Sequence, residues 1–472
     1  MNNLLSSDGY KFSMAEAGAP LRPETFYFSF RRGGMSYNCI DWPSFIQDLL
    51  PAAEGNEDIH NGHEVEWLAA FGYPLTGAMQ RALAGSVTVS GLPAGSWFFD
   101  REPIVSVTGP SFLVSWLEPL LIQAHYRIQV ATALMSGESK FVVTCAEQAR
   151  IIGNIAHSLK RSAKVTFKAE DYVASTRAAA IAITDLIPAS RVFEVGMRAA
   201  TCQEEHALCL GALNELGIHR TSNVALADEL RMTPVGTMGH EHIQRWGSDI
   251  AAYRAMRDMR VAAPSYLLDT FNTFTSGLPA ALLSYQEQPH LFSVRYDSGC
   301  KPAQYLQAHA VFQELGDDAP VHIIEDGLRV PDVVLFERLR SYVTKVAPEK
   351  QHYGFGGYFV SHHWRHENPY TRDAVSAVYK LSETSGTPRM KFGDAAGLGK
   401  RSVPGRPVVW RCLDGAGPLG IVGQEGEQPP PGYMVLTGNP DTRTAPRPPR
   451  DDTTQTLSPE TEALVAAVKA TM

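Results

Sequence analysis

The sequence predicts an α/β protein: a parallel β/α barrel, with a separate α+β domain at its N-terminus. From residue 265 onward, short apolar runs recur at intervals of about 30 residues, the length of a strand with its crossover helix. The segments between these runs carry apolar residues at helical spacing. Polar residues cluster just after the runs, where parallel barrels place their active sites. Residues 1–145 lack this rhythm and contain hairpin-like stretches at 25–30 and 86–99.

The elements can be placed in order from these patterns. Strands are predicted within 265–270, 292–299, 321–327 and 353–358, and earlier ones within 192–198, 222–226 and 233–240. Helices are predicted around 204–216, 248–259, 301–315 and 331–346. The resulting domains are an N-terminal α+β domain (1–145), joined by C-terminal strands at about 378–425, and a barrel (146–377). A tail (426–472) is rich in proline and is predicted to be irregular, with one terminal helix at 459–469.

Composition excludes several classes of protein. The chain has 472 residues, 44% of them hydrophobic, and a formal net charge of -8, which argues against a general nucleic-acid binder. Its six cysteines form no CxxC pair, so neither a disulfide framework nor a zinc ribbon is predicted. No apolar run reaches the roughly 18 residues of a membrane span, and the first ten residues do not resemble a signal peptide. We expect a cytoplasmic protein without membrane or nucleic-acid partners.

The ends of the predicted strands carry charged side chains that suggest a site. Carboxylates at Asp269, Asp297, Glu325 and Asp326 are suited to ribose hydroxyls or Mg²⁺, and Arg295 is suited to an anion. The alternative is that such acids only cap the following helices. The glycines of residues 354–357 allow backbone amides to approach a phosphate, although an ordinary tight turn gives the same pattern.

Two groups of histidines raise the question of a metal site. His240 and His242 would share one face if the strand before them continued, but no third ligand lies near them in the sequence. His362, His363 and His366 are interpreted as a surface insertion. No resident metal site is therefore predicted from the histidines, and a histidine–metal hydrolase remains an alternative.

Ten short motifs occur in an order that resembles the nicotinate phosphoribosyltransferases. They are DGYK (8–11), FSFRR (28–32), EVGMR (194–198), TSNV (221–224), PVGTMGH (234–240), LLDTFNT (267–273), RYDSG (295–299), YGFGG (353–357), VYKL (378–381) and SVPGRPVVWR (402–411). The resemblance implies an irregular β/α barrel of the type II phosphoribosyltransferase fold, with an N-terminal α+β domain. It also implies a homodimer with shared active sites, whose substrates are nicotinate, phosphoribosyl pyrophosphate (PRPP) and ATP, with Mg²⁺.

The resemblance also implies roles for individual residues. His240 matches the histidine that ATP phosphorylates, beside Thr237, and Asp297 matches the acid of the DSG motif. Arg198 and Arg295 match arginines that face the pyridine and the diphosphate, and Tyr10 matches a tyrosine that the neighbouring subunit stacks on the ring. The residues expected to bind PRPP and its phosphates are Arg32 (less favoured, Arg31), Asp269, Glu325, Asp326, Gly356, Gly357 and Arg372.

The choice of base depends on Ser222. Nicotinamide phosphoribosyltransferases, which residues 118–132, 246–249 and 371–373 resemble, carry an aspartate there, whereas a serine avoids repulsion of the nicotinate carboxylate. The chain departs from the family at Val195, where a phenylalanine is usual, and at Gly357, where nicotinate enzymes have threonine. The predicted activity is nicotinate phosphoribosyltransfer in NAD salvage, and the alternatives are a nicotinamide phosphoribosyltransferase and a catalytically silent nucleotide-sensing homologue.

Overall fold

The computed structural model describes residues 4–51, 62–259, 263–391, 402–412, 417–438 and 456–471. The strands within these ranges are β1 (Pro23–Phe30), β2 (Ser36–Tyr37), β3 (Thr88–Gly91), β4 (Trp97–Phe98), β5 (Pro103–Pro110), β6 (Lys140–Val143), β7 (Lys164–Phe167), β8 (Val192–Glu194), β9 (Arg220–Thr221), β10 (Thr233–Pro234), β11 (Ser265–Leu267), β12 (Ser293–Tyr296), β13 (Val321–Ile324), β14 (Gln351–Phe355), β15 (Ala377–Thr384), β16 (Thr387–Pro388), β17 (Pro407–Cys412), β18 (Gly420–Gln424), β19 (Tyr433–Val435) and β20 (Thr456–Leu457). The α-helices are α1 (Gly9–Ala15), α2 (Trp42–Leu49), α3 (His63–Ala70), α4 (Gly77–Leu83), α5 (Ser111–Trp116), α6 (Glu118–Met135), α7 (Ala146–Ser158), α8 (Ala169–Thr184), α9 (Gln203–Asn214), α10 (Val224–Glu229), α11 (His240–Trp246), α12 (Asp249–Met259), α13 (Leu278–Glu287), α14 (Lys301–Phe312), α15 (Val330–Arg338), α16 (Arg372–Val375) and α17 (Pro459–Ala470).

A curled sheet of seven parallel strands forms the larger part of the chain. Its order is β10–β9–β8–β14–β13–β12–β11, so strands from two stretches of sequence meet where β8 pairs with β14. The four apolar runs after residue 265 become β11 to β14, and amphipathic helices cover them as the spacing predicts. The predicted α/β fold class is confirmed, and the carboxyl ends of these strands lie along one rim.

Two of the earlier strands differ from the prediction. Residues 222–226, predicted as a strand, instead begin α10, because the Asn223 side chain caps that helix by accepting a hydrogen bond from Leu226 N at 3.2 Å. The strand predicted at 233–240 ends at Pro234, and His240 is the first residue of α11. His240 and His242 therefore do not share the face of a strand.

A second sheet consists of five antiparallel strands in the order β16–β15–β1–β5–β3. Its central strand β1 pairs with β5 on one side and with β15 on the other, so residues far apart in sequence share this sheet. The stretch 86–99 is not a hairpin, since β3 pairs with β5 and β4 pairs with β2. Aromatic side chains of β1, among them Phe26, Phe28 and Phe30, fill the core of this part.

The C-terminal residues form a small sheet with the order β19–β17–β18–β20, and α17 packs on it. The tail predicted as irregular thus contributes the strands β19 and β20, and the rest of its proline-rich stretch, 439–455, lies outside the described residues. The predicted terminal helix is present as α17, which Ser458 caps by accepting from Thr461 N. Among the described helices, none combines the length and hydropathy that a membrane crossing requires.

Candidate active site

Three adjoining cavities open at the carboxyl rim of the parallel sheet. Their volumes are about 220, 130 and 150 Å³, and Arg198 lines all three, so they form one connected site. We name them the barrel cavity (with Tyr10, Ser222 and Thr237), the cationic cavity (with Arg31, Lys380 and Lys391) and the glycine cavity (with Gly356, Gly357 and Arg329), in that order.

The cationic cavity is lined by six positively charged side chains, Arg31, Arg198, Arg295, Arg372, Lys380 and Lys391. Burial, together with Lys391, Arg31 and Arg198, lowers the pKa of Lys380 to about 7. Burial and neighbouring arginines also lower the pKa of Arg31 and of Arg372. Charges that repel one another around a cavity are stabilised by a multiply charged anion, so this cavity has the electrostatics of a diphosphate or triphosphate site.

His240 stands at the edge of the cationic cavity. Its Nδ1 lies 3.0 Å from Thr270 Oγ1, and its Nε2 lies 3.0 Å from Asp297 Oδ2 and 2.6 Å from Lys391 Nζ. Burial and the Lys391 ammonium hold the pKa of His240 well below its usual range. The imidazole is therefore neutral near pH 7 and keeps the lone pair that a nucleophile needs.

Two carboxylates accompany His240. Burial alone would raise the pKa of Asp297, but Arg295, whose Nη2 lies 2.9 Å from Asp297 Oδ1, and His240 hold it well below its usual range. Burial and the charge of Asp297 raise the pKa of Asp269 to about 6. One ligand atom each from His240, Asp269 and Asp297 lie within 4.8 Å of one another, and Asp269 Oδ1 is buried without a hydrogen-bond partner. Such oxygen-rich groups suit a divalent cation.

The barrel cavity is lined by Tyr10, Arg198 and Ser222, together with a buried acid. The Arg198 guanidinium lies 5.4 Å from the Tyr10 ring centroid, and the Tyr10 hydroxyl donates to Glu118 Oε2 at 2.5 Å. The Ser222 hydroxyl donates to Asp8 Oδ1 at 2.6 Å, and burial raises the pKa of Asp8 to about 6. The cavity thus offers an aromatic face, a cation and a carboxyl group to a small ring.

Tyr10 reaches this cavity because α1 packs closely on the loop before His240. A Cβ on Gly9 would lie 2.2 Å from the carbonyl oxygen of Val235, and one on Gly236 would lie 2.4 Å from Tyr10 N, so both positions require glycine. In the single chain Tyr10 lines the cavity of its own chain, and the supply of Tyr10 by a neighbouring subunit stays a prediction.

Most of the other predicted site residues also meet here. Arg295 Nη1 donates to Thr237 Oγ1 at 2.7 Å, and Arg295 Nε lies 3.4 Å from Glu325 Oε2. Asp297, Asp326 and Arg372 line both the cationic and the glycine cavity, and Val195 lines the glycine and barrel cavities.

Arg32 is the exception among the predicted phosphate ligands. Its side chain is exposed and donates to the carbonyl oxygen of Asp373, whereas Arg31 lines the cationic cavity. In this structure Arg31, the less favoured of the two in the prediction, is therefore the one that faces the site. Both residues follow β1, which ends at Phe30, and in the turn after it only the Arg31 side chain is directed into the cavity.

The remaining histidines do not gather around a metal in the described part of the chain. His242 is fully buried, and its Nε2 donates to the carbonyl oxygen of Ala252 at 3.1 Å. His363 contacts Ser175 Oγ at 2.9 Å, while His362 lines the glycine cavity. Residues 362–366 are thus only partly a surface insertion.

Several residues of the site were missed in the sequence. Lys380 and Asp8 lie within the quoted VYKL and DGYK motifs, and this position within a motif could have identified both as site residues. Thr270 likewise lies within the quoted LLDTFNT motif, whereas Lys391 reaches His240 from a position that carries no local pattern. Only its distance to His240 in the fold reveals Lys391.

Solved structures show the same fold. Nicotinate phosphoribosyltransferase from Porphyromonas gingivalis superposes with a TM-score of 0.57 at 18% identity, covering 85% of this chain and 96% of that one. The enzyme from Vibrio cholerae gives 0.57 at 17% identity, covering 83% and 88%. The fold is thus that of the type II phosphoribosyltransferases.

Among proteins with this fold, sequence comparison finds similarity to one family. Residues 191–414 match the nicotinate phosphoribosyltransferase (NAPRTase) family. The human nicotinate phosphoribosyltransferase is 25% identical over 405 residues, covering 74% of this chain and 65% of its own length, and the Vibrio vulnificus protein is 27% identical over 190 residues, covering 37% and 41%. Over these residues the chain is similar to the nicotinate phosphoribosyltransferase family, and its match to the human protein spans 65% of that relative's length.

Proposed function

We propose that this chain condenses nicotinate with PRPP to nicotinate mononucleotide and diphosphate, coupled to ATP hydrolysis, as a step of NAD salvage. The observation that carries the proposal is the cluster of six cations beside a neutral histidine, next to a cavity large enough for a pyridine ring. The cluster suits the diphosphate of PRPP, and the barrel cavity suits a pyridine ring.

In the proposed transfer, the ring nitrogen of nicotinate attacks C1 of the ribose as the diphosphate leaves. The base lies in the barrel cavity against Tyr10 and Arg198, and Asp326 binds the ribose hydroxyls. The backbone at Gly356 and Gly357 holds the 5-phosphate in the glycine cavity. Negative charge grows on the leaving diphosphate, so fixed cations stabilise the transition state more than the ground state.

ATP coupling is proposed to proceed through His240. The neutral imidazole attacks the γ-phosphorus, a P–N bond forms, and ADP leaves with the electrons of the broken P–O bond. Water later hydrolyses the phosphohistidine, so each condensation consumes one ATP. Asp269 and Asp297 would hold Mg²⁺, which supplies charge neutralisation to the phosphates when bound.

The wild-type protein provides the first test of this function. We expect formation of nicotinate mononucleotide from nicotinate and PRPP, at a higher rate with ATP than without it. Turnover of neither nicotinate nor nicotinamide under any nucleotide condition would contradict the proposed transferase activity and favour a silent, nucleotide-sensing homologue.

One observation favours nicotinamide as the second candidate base. Asp8 faces the barrel cavity, and its carboxylate is an acceptor for a carboxamide N–H but repels the carboxylate of nicotinate. The hydroxyl of Ser222 is already hydrogen-bonded to Asp8, so Ser222→Asp would set two carboxylates side by side and disturb the pocket itself. Asp8 is therefore the better position at which to test base choice.

Replacing Asp8 with asparagine should increase kcat/KM for nicotinate and decrease it for nicotinamide. The ratio of the two should change by about tenfold for each 1.4 kcal/mol of repulsion removed. Because protonated Asp8 does not repel nicotinate, wild-type KM for nicotinate should increase as the pH rises above about 6, and the variant should lack this increase.

Ser222→Ala serves as the control, since it removes the hydrogen bond to Asp8 but keeps the carboxyl group. If Asp8→Asn and Ser222→Ala change the ratio equally, Asp8 does not select the base.

We also propose that the protein forms a homodimer, as the family resemblance implies. The within-chain position of Tyr10 predicts that mixing Tyr10→Ala and Asp326→Ala subunits restores no activity, because every subunit then carries one lesion in its own site. Mixed dimers purified with two different affinity tags provide the measurement. Recovered activity would instead show that the segment around Tyr10 is exchanged between subunits and that the sites are shared.

A further inference from the structure

A buried chain of polar side chains lies behind the barrel cavity, at the end of β8. Glu194, His206 and Asn223 are each 0% exposed. Glu194 accepts hydrogen bonds from Gly196 N at 2.5 Å and from Thr221 Oγ1 at 2.7 Å, and His206 Nε2 lies 3.1 Å from Glu194 Oε1. Burying polar groups costs free energy unless they form hydrogen bonds or polar contacts with one another, so the arrangement of these side chains is tightly constrained.

The hydrogen bonds fix the orientation of each group. Asn223 Oδ1 caps α10, which turns its Nδ2 toward His206 Nδ1 at 2.9 Å and Gln203 Oε1 at 2.8 Å. An amide nitrogen only donates, so His206 Nδ1 accepts and the ring proton resides on Nε2. His206 Nε2 lies 3.1 Å from Glu194 Oε1, a close polar contact without hydrogen-bond geometry. The three residues therefore form an oriented relay from the cap of α10 to the end of β8.

Both ends of the relay connect to residues of the barrel cavity. At one end, Glu194 accepts a hydrogen bond from the backbone amide of Gly196, which lies two residues before Arg198. A Cβ on Gly196 would lie 2.4 Å from Glu194 Oε1, so the turn and the carboxylate are in close contact. At the other end, Asn223 follows Ser222, whose own amide donates to the carbonyl oxygen of Glu194 at 2.8 Å. Arg198 and Ser222 thus project from two turns that the relay ties together.

We propose that Glu194, His206 and Asn223 are positioning residues that set the separation of Arg198 and Ser222 and thereby orient the pyridine base for attack. This role rests on the proposed transferase function. The relay does not touch the base. It fixes the two backbone turns that carry Arg198 and Ser222, the side chains proposed to contact the base. A displacement of about 1 Å at a reacting centre lowers reaction rates by on the order of a hundredfold.

His206→Phe tests this role, because the ring keeps its approximate volume but loses both polar atoms. We expect kcat/KM for the base to fall by on the order of 10- to 100-fold, through a higher KM for the base and a lower kcat. KM for PRPP should stay close to the wild-type value. In His206→Gln the side-chain amide retains an N–H for Glu194, so most of the loss should be recovered.

His322→Phe is the matched control. His322 is 3% exposed and bonds Tyr296 in the parallel sheet, so its loss reports the effect of removing a buried polar histidine of the barrel. If His206→Phe and His322→Phe lower the melting temperature and all kinetic constants alike, the positioning role is wrong. The same follows if His206→Gln is as impaired as His206→Phe. Should His206→Phe fail to fold, the base-specific increase in KM must appear in Asn223→Asp, which keeps the helix cap but cannot donate to His206 Nδ1.

The wild-type assay separates this inference from the proposed function. If the wild-type protein turns over neither base, the transferase proposal itself fails. If it is active and the relay variants behave like the control, only the positioning role fails.

Discussion

His240→Ala is expected to abolish the stimulation of activity by ATP while leaving slow transfer from PRPP. The substitution removes the only proposed phosphate acceptor but leaves the cations, Tyr10 and the carboxylates in place. The rates of nicotinate mononucleotide formation with and without ATP, in the variant and in the wild type, provide the measurement.

The exposed His366 supplies the control, since His366→Ala changes a histidine without touching the site. It should keep the full ATP effect. An ATP effect that survives in His240→Ala would mean that coupling does not proceed through this imidazole.

Lys380→Met should weaken PRPP binding and stabilise the free protein at the same time. A cation hydrogen-bonded to phosphate contributes about 1.5–3 kcal/mol, so KM for PRPP should rise by about tenfold or more. The folded-state pKa of Lys380 is lowered to about 7, so its charge opposes folding fully below pH 7 and progressively less as the pH rises toward its ordinary value of 10.5. At pH 6, the melting temperature of the variant should therefore exceed that of the wild type.

The pH dependence gives an independent readout of the same residue. In the wild type, KM for PRPP should increase as the pH rises above about 7 and Lys380 loses its proton, and the increase should be smaller in Lys380→Met. Lys164→Met, on the exposed strand β7, should leave both quantities unchanged. A variant that binds PRPP normally, or that is less stable than the wild type at pH 6, would contradict the assignment of the cationic cavity to a polyanion.

The fold was largely predictable because each βα unit has a local signature. β11 to β14 follow from apolar runs at regular spacing, and α17 follows from its cap and composition. Local sequence patterns could not predict which strands, distant in the sequence, pair with each other. β1 joins β15 across more than three hundred residues, and Asn223 starts a helix where hydrophobicity alone suggests a strand.

The site was predictable to the extent that it lies at strand ends. Asp297 and Asp326 follow β12 and β13, so the topology alone brings them to one rim. Lys391 approaches His240 only through tertiary packing, and the contact of Asp8 with Ser222 depends on the close packing of α1. The family resemblance indicated which sequence positions belong to the site, but it did not reveal which of their side chains are buried in contact with one another.

The central claim is that His240 carries phosphate from ATP to drive the condensation of nicotinate with PRPP. The most direct test incubates the wild-type protein with γ-labelled ATP, isolates it and measures acid-labile, base-stable label, with His240→Ala beside it. The proposed chemistry predicts about one phosphate per chain, bound through nitrogen, absent in the variant and released when PRPP and nicotinate are added. An unlabelled wild-type protein, or equal labelling of the two proteins, would contradict it.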